Sequence, residues 1–162
     1  MHTLKEFVHQ ELKDVLNRSI QDTTSRFAGI QLVEQNAELS DDICTVHTIL
    51  EGNRRAALLL CADTALLKRL AQNILHTPQV TSQDVEDVAK EYLNIICGQV
   101  VAGLFQVARI TSRFQIPNFR TGLYLPEEKA DGQCVLNYDS GEHGKIRLIC
   151  MGPFIPERSQ SA

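Results

Sequence analysis

The sequence lacks the features that mark several classes of protein. It has no cluster of Lys and Arg, and 16 basic residues face 20 acidic ones, for a formal net charge of −4. A nucleic-acid-binding face is normally basic, so we expect no nucleic-acid partner. The longest strongly apolar run, residues 56–62, is far too short to cross a bilayer, and residues 1–7 lead into no signal-type apolar segment. We therefore expect a cytoplasmic protein with no membrane segment.

Motifs for metal or thiol chemistry are lacking as well. Five cysteines occur, none of them in a CxxC pair, and the five histidines include no pair at i and i+4. Neither a zinc knuckle nor a thioredoxin-type site is predicted, and we expect no metal site of the chain's own. We interpret the cysteines as small hydrophobic residues of the core. A reactive thiol or metal protein is the alternative, and it depends only on the number of these residues: Cys44, Cys61, Cys97, Cys134 and Cys150.

The composition that remains is that of a globular protein. The chain has 162 residues, of which 43% are hydrophobic and 22% charged, enough for one domain with a core. We predict a single domain over residues 1–152 and a polar tail over residues 153–162.

The first half of the chain reads as a helix, strands and a second helix. Apolar periodicity predicts a helix that starts near Leu4 and fades near residues 22–25. Asp63 and Thr64 are predicted to cap a second helix, which Pro78 stops. Between these helices we predict a tight turn at residues 52–53 and strands over residues 29–36, 42–51 and 54–62.

The second half repeats this order of elements. A long helix is predicted from an N-cap at Ser82 to about Ala108, followed by strands over residues 111–116, 121–125, 132–139 and 145–151. Residues 13–17 (KDVLN) of the first helix also match residues 90–94 (KEYLN) of the long one. The predicted fold class is α+β, with a two-layer, mostly antiparallel sheet, long helices packed on one face, and pseudo-duplicated halves.

The long helix has one side that is polar and then small. At about 100° per residue, this side holds Asp84, Asp87, Glu91, Asn94, Gly98 and Ala102. Glu91 and Asn94 project together because they are three residues apart. The glutamate can pair with a cation and the asparagine can orient a water, but neither is a nucleophile, so the electrophile must come from a partner. A plain solvated helix face is the alternative.

Residues 91–98 (EYLNIICG) resemble the E-x-x-N-x-x-x-G helix signature of the CheC/CheX/FliY chemotaxis phosphatases. The single clear motif and the chain length are most similar to CheX. Residues 63–67 resemble the helix start that follows that family's third strand, and residues 116–117 with 121–122 resemble its proline-containing segment after the long helix. The resemblance extends from about residue 42 onward, and the chain is thus identified as a CheX-like member of this CheC-like family.

The resemblance implies a phosphatase for the aspartyl phosphate of a CheY-type receiver domain. It implies that Glu91 pairs with the receiver's active-site lysine and that Asn94 positions the attacking water. It also implies a binding surface in which Gly98 lets the helix backbone approach, with Asp87 and Ala102 beside it. The Mg²⁺ ion belongs to the receiver, so the chain needs no cofactor of its own. CheX-like proteins further suggest a homodimer, formed through sheet edges or swapped strands.

Two questions stay open at this level. In the first helix Asp14 and Asn17 take the places of Glu91 and Asn94, but Gln21 stands where Gly98 would be. This pair is either a vestigial second site or a helix surface that serves packing or solubility. The function also has an alternative, a non-catalytic receiver-binding module or a dimeric adaptor in two-component signalling.

Overall fold

Two layers, helices over a sheet, are visible in the computed structural model, which describes residues 4–36, 38–52, 55–125 and 133–152. Over these residues the chain forms, in order, α1 (Leu4–Ala28), β1 (Val33–Glu34), β2 (Ile43–Glu51), β3 (Ala56–Asp63), α2 (Thr64–Leu75), α3 (Ser82–Ala108), β4 (Arg113–Phe114), β5 (Asn118–Thr121), β6 (Gln133–Asp139) and β7 (Lys145–Met151).

The seven strands form one antiparallel sheet in which the two halves of the chain interleave. The strand order is β1-β6-β7-β3-β2-β4, and β5 pairs with β2 next to β4. The two central strands are β3, the last of the first half, and β7, the last of the second half. Each has its hairpin partner on its outer side: β2 next to β3, and β6 next to β7. The first strand of each half then pairs with the hairpin of the other half. An approximate two-fold symmetry axis thus exchanges the strands of the first half with those of the second, as expected for pseudo-duplicated halves.

The helices cover one face of the sheet. In β3 the side chains of Leu58 and Leu60 join the helix side chains in the main core, while Leu59 between them belongs to a smaller cluster on the opposite face. The main core also takes in one side of α3, whose buried residues are Val88, Ala89, Tyr92, Leu93, Ile96, Cys97, Val100 and Leu104. The predicted α+β fold class is confirmed.

Helix α3 is long and apolar enough to cross a membrane by those two criteria alone. Its eight buried residues, however, pack in the core against the other helices and the sheet. We therefore interpret α3 as a core helix.

Helix α1 is longer than predicted. It continues through residues 22–25 to Ala28, where Gly29 adopts a positive φ of 67° and its N–H donates to Ser25 O (3.0 Å). Thr24 lies in the stretch where the helical pattern weakens, yet it is buried: its hydroxyl donates to Ile20 O (2.6 Å) within α1 and contacts the hydroxyl of Tyr92 in α3. Burial overrides local propensity here.

The caps of the other two helices also differ in part from prediction. Asp63 occupies the N-cap position of α2, as predicted, but its side chain makes no capping hydrogen bond, because its carboxylate accepts from the N–H groups of Ser40 (2.9 Å) and Lys145 (2.8 Å). The N-cap of α3 is Thr81 rather than Ser82. Thr81 Oγ1 accepts from the N–H of Asp84 (3.0 Å), and Asp84 Oδ2 accepts from the N–H of Thr81 (2.9 Å), which completes a capping box.

Three strand predictions need correction. The strand predicted over residues 29–36 is only β1, the one over 111–116 is only β4, and the one over 121–125 lies earlier in the chain as β5. Pro117 separates β4 from β5, since it has no N–H to offer to β2, which both short strands pair with. Part of the predicted turn at residues 52–53 and the whole tail at 153–162 lie outside the described residues.

Helices α1 and α3 pack against each other in opposite directions. Thr24 near the end of α1 contacts Tyr92 in the first half of α3, and Val15 lies against Gly103 in the second half. A Cβ atom on Gly103 would lie only 2.8 Å from Val15 Cγ1, so a glycine is required for this close approach. The packing fixes which side of α3 faces outward.

Candidate functional site

The outward side of α3 carries the residues that the sequence singled out. We call Asp87, Glu91, Asn94, Gly98 and Ala102 the outer stripe; Asn94 is half-buried and the other four are exposed. The stripe runs about 22 Å along the helix axis. It lies opposite the buried side of α3, so the structure places the acidic, amide and small residues together on one accessible surface.

The polar side chains near the start of α3 mostly pair with one another. Gln83 Nε2 donates to Asp87 Oδ1 (2.9 Å) and Glu86 Oε2 (3.2 Å), and Lys90 Nζ lies 3.5 Å from Glu86 Oε2. Glu91 and Asn94 take no part in these contacts. Among the described residues the carboxylate of Glu91 and the amide of Asn94 therefore have no side-chain partner and can contact a group from outside the chain.

The two glycines of α3 have different surroundings. Gly103 meets Val15, but a Cβ atom on Gly98 would meet no atom within 4 Å. Glycine inside a helix costs about 0.5–1 kcal/mol relative to alanine. Packing between the described residues gives no reason for this cost at Gly98.

The corresponding pair in α1 is engaged within the chain. Asn17 Oδ1 accepts from the hydroxyl of Tyr138 (2.6 Å) and from Gln21 Nε2 (3.1 Å), and Asp14 Oδ1 accepts from Gln10 Nε2 (3.0 Å). Burial raises the pKa of Tyr138 well above its usual value, so its hydroxyl stays protonated and donates. In α1 the amide of Asn17 thus supports the packing of the helix on β6, whereas Asp14 is exposed and its hydrogen bond stays on the helix surface.

Two residues near these sites escaped sequence reasoning. Tyr138 is 121 residues from Asn17 in the chain, and no local pattern connects them. Phe105 is 48% exposed on α3. The spacing could have indicated it, because Phe105 follows Asn94 by 11 residues and so lies on nearly the same side of the helix. However, an aromatic residue in an apolar helix usually indicates a core position.

The cysteines are buried, as predicted, and none forms a disulfide. Burial raises the pKa of Cys97 and of Cys150 to about 12, so these thiols stay protonated and unreactive at neutral pH. The part of the chain that the structure describes contains no group of three or more His, Cys, Asp or Glu side chains able to hold a metal ion.

Fold and stripe together define a class: an α+β protein with an interleaved antiparallel sheet and a helix that presents a Glu/Asn pair outward. The sequence profile described as "Chemotaxis phosphatase CheX" matches residues 44–139, more than half of the chain. The chain belongs to the CheX family of chemotaxis phosphatases. No match was found among curated proteins.

Solved structures share this fold. The chemotaxis protein CheX from Desulfovibrio desulfuricans has a TM-score of 0.74 and 17% identity, over 86% of this chain and 97% of that chain. CheX from Vibrio vulnificus has a TM-score of 0.73 and 16% identity, over 85% and 93%. The CheX of a CheX–CheY–BeF₃–Mg²⁺ complex from Borrelia burgdorferi has a TM-score of 0.71 and 14% identity, over 85% and 95%.

Proposed function

We propose that this protein hydrolyses the aspartyl phosphate of a CheY-type receiver domain, with the receiver supplying Mg²⁺. The observation that carries the proposal is the outer stripe, in which Glu91 and Asn94 project beside a glycine that packing within the described chain does not require. Membership of the CheX family supports the reaction class. The Borrelia burgdorferi neighbour, which contains CheY with BeF₃ and Mg²⁺, supports the partner and the source of the metal.

Asn94 is proposed to position the attacking water. Its amide offers one acceptor oxygen and two donor hydrogens, so it can hold a water in a set orientation. A water held in line with the phosphorus attacks it as the bond to the aspartate oxygen breaks, and the receiver's carboxylate leaves. The amide itself neither gains nor loses a proton.

Glu91 is proposed to dock the receiver. The carboxylate lies one turn before Asn94 on the same side of α3 and is exposed. A charge-assisted hydrogen bond to the receiver's active-site lysine would fix how far Asn94 enters the site. Gly98 and Ala102 leave room for the receiver next to Asn94, and Asp87 extends the acidic end of the surface.

Positioning is sufficient for this chemistry. Phosphoryl transfer depends mainly on orientation and on stabilising charge, and the receiver's Mg²⁺ already neutralises the phosphate. A 100-fold gain over the receiver's own hydrolysis requires only about 2.7 kcal/mol, which one well-placed hydrogen-bonding group can supply.

The same proposal includes the setting of the protein. We propose a cytoplasmic homodimer built from one domain per chain over residues 1–152. The sheet ends at β1 on one side and at β4 and β5 on the other, and these are short strands with edges that need cover. Pairing of such edges between two copies is one way to cover them.

The test follows phosphate loss from a phosphorylated receiver in the presence of Mg²⁺. Wild-type protein should speed this loss. Asn94→Ala should remove the stimulation while the receiver still binds, and Glu91→Ala should weaken binding. A full rate with Asn94→Ala would contradict the mechanism. Binding of the receiver without any stimulation by the wild type would favour the non-catalytic binding module instead.

A further inference from the structure

The accessible side of α3 continues beyond the outer stripe to Phe105. Eleven residues at 100° each make three turns plus about 20°, so Phe105 lies almost in line with Asn94, about 16 Å further along the axis. Its side chain is 48% exposed, which leaves a large apolar surface in water.

The ring of Phe105 contacts the residue that ends the helix. Arg109 places its guanidinium carbon 5.3 Å from the ring centroid, a cation–π arrangement. The backbone N–H of Arg109 donates to Phe105 O (3.0 Å), and Arg109 itself caps α3 in the left-handed conformation. The cation–π contact therefore favours one orientation of the ring before any partner arrives, which lowers the entropy cost of binding.

Charge is distributed unevenly along this side of α3. The first turns carry the carboxylates of Asp84, Asp87 and Glu91, and the last turn ends in Phe105 and the cation of Arg109. Small residues, Gly98 and Ala102, lie between the two ends. A partner surface can therefore contact both ends at once, and the charges favour one direction of docking over the reverse.

We propose that Phe105 is an apolar anchor for the receiver domain that docks on Glu91 and Asn94, and so helps determine which receiver is accepted. The inference depends on the proposed function. A stable interface buries about 800 Å² per partner, which corresponds to a patch of about 16 Å radius. A receiver centred on Asn94 therefore reaches Phe105 at the edge of this patch, where an aromatic ring that becomes buried contributes through the apolar area it removes from water.

The experiment measures the affinity of the full chain for a receiver held in its phosphorylated-like state by BeF₃ and Mg²⁺. Phe105→Ala should weaken binding about 10-fold, and Phe105→Leu should weaken it less because part of the apolar contact remains. Phe27→Ala is the matched control, since Phe27 is similarly exposed (36%) in the last turn of α1. It should bind as the wild type does. At saturating protein, the rate of phosphate loss with Phe105→Ala should equal the wild-type rate, because the anchor does not touch the phosphate.

Each other outcome has a definite meaning. If Phe105→Ala binds as tightly as the wild type while Glu91→Ala binds more weakly, the anchor is wrong and the proposed function stands. If the wild type binds no receiver at all, the proposed function is overturned and the anchor with it. If Phe105→Ala dissociates a homodimer and leaves receiver binding unchanged, the surface belongs to a second copy of the chain and the proposal is overturned. Thermal unfolding of both Phe105 variants reports whether the fold is intact.

Discussion

Helices α1 and α3 begin the two halves of the chain and share a spacing of acid and amide, yet their polar pairs are used differently. In α1, Asn17 Oδ1 accepts hydrogen bonds from Tyr138 and Gln21, so the amide supports the packing of α1 on β6. In α3, Glu91 and Asn94 face outward beside Gly98. The comparison shows that a short sequence match does not by itself give two polar pairs the same surroundings. Tyr138 from the sheet bonds to the amide in α1, whereas next to Asn94 in α3 the surface at Gly98 is open. These surroundings determine whether the polar pair can contact a partner.

The largest effect is expected when the residue of α1 is placed in α3. Gly98→Gln introduces at residue 98 the side chain that α1 carries at residue 21. The bulk should keep the receiver away from Asn94 and reduce the stimulated rate of phosphate loss about 100-fold, equivalent to about 2.7 kcal/mol. The fold should persist because nothing lies within 4 Å of a Cβ at this position.

Circular dichroism and thermal unfolding provide the control for Gly98→Gln. An unchanged melting curve together with an unchanged rate of phosphate loss would show that the receiver does not approach α3 at residue 98.

The two glycines of α3 should respond in opposite directions to alanine. Gly103→Ala places a Cβ 2.8 Å from Val15 Cγ1 and should lower the free energy of unfolding by about 1–3 kcal/mol through overpacking. Gly98→Ala should raise it by about 0.5–1 kcal/mol, because alanine favours the helix and meets no neighbour. Urea unfolding of both variants measures the difference, and equal shifts would argue against the packing of α1 on α3 described here.

Some features of the fold and of the candidate site could be predicted from the sequence, and others could not. The outward side of α3 and the strands β2, β3, β6 and β7 follow from periodicity, because residues near in sequence determine them. Three features depend on distant parts of the chain: the hydrogen bond between Asn17 and Tyr138, the bonds from Ser40 and Lys145 to Asp63, and the contact of Thr24 with Tyr92 where α1 continues. Local patterns carry no information on such contacts.

A smaller effect is expected at the amide of α1. Asn17→Ala removes the acceptor of the Tyr138 hydroxyl and should lower the free energy of unfolding by about 1 kcal/mol. Its rate of phosphate loss should equal that of the wild type. In a double-mutant cycle with Tyr138→Phe, the double variant should lose less stability than the sum of the two single losses, since both substitutions remove the same hydrogen bond. Fully additive losses would mean that this bond does not stabilise the fold.

The smallest effect is expected in the core, at Cys97 of α3 and Cys150 of β7. Native protein at pH 8 should not react with a thiol reagent, because all five cysteines are buried and burial raises the pKa of Cys97 and Cys150 to about 12. The ordinary pKa is 9.0, so the unfolded chain loses these protons first. This contribution to stability is therefore complete below pH 9 and decreases as the pH rises toward 12. Rapid modification of native protein would revive the reactive-thiol alternative.

The most direct test of the central claim compares the two amides, Asn94→Ala and Asn17→Ala, in one assay of phosphate loss from a phosphorylated receiver with Mg²⁺. The account predicts that Asn94→Ala loses about 100-fold of the stimulated rate while still binding the receiver, and that Asn17→Ala keeps the full rate. A full rate with Asn94→Ala, or an equal loss in both variants, would contradict it.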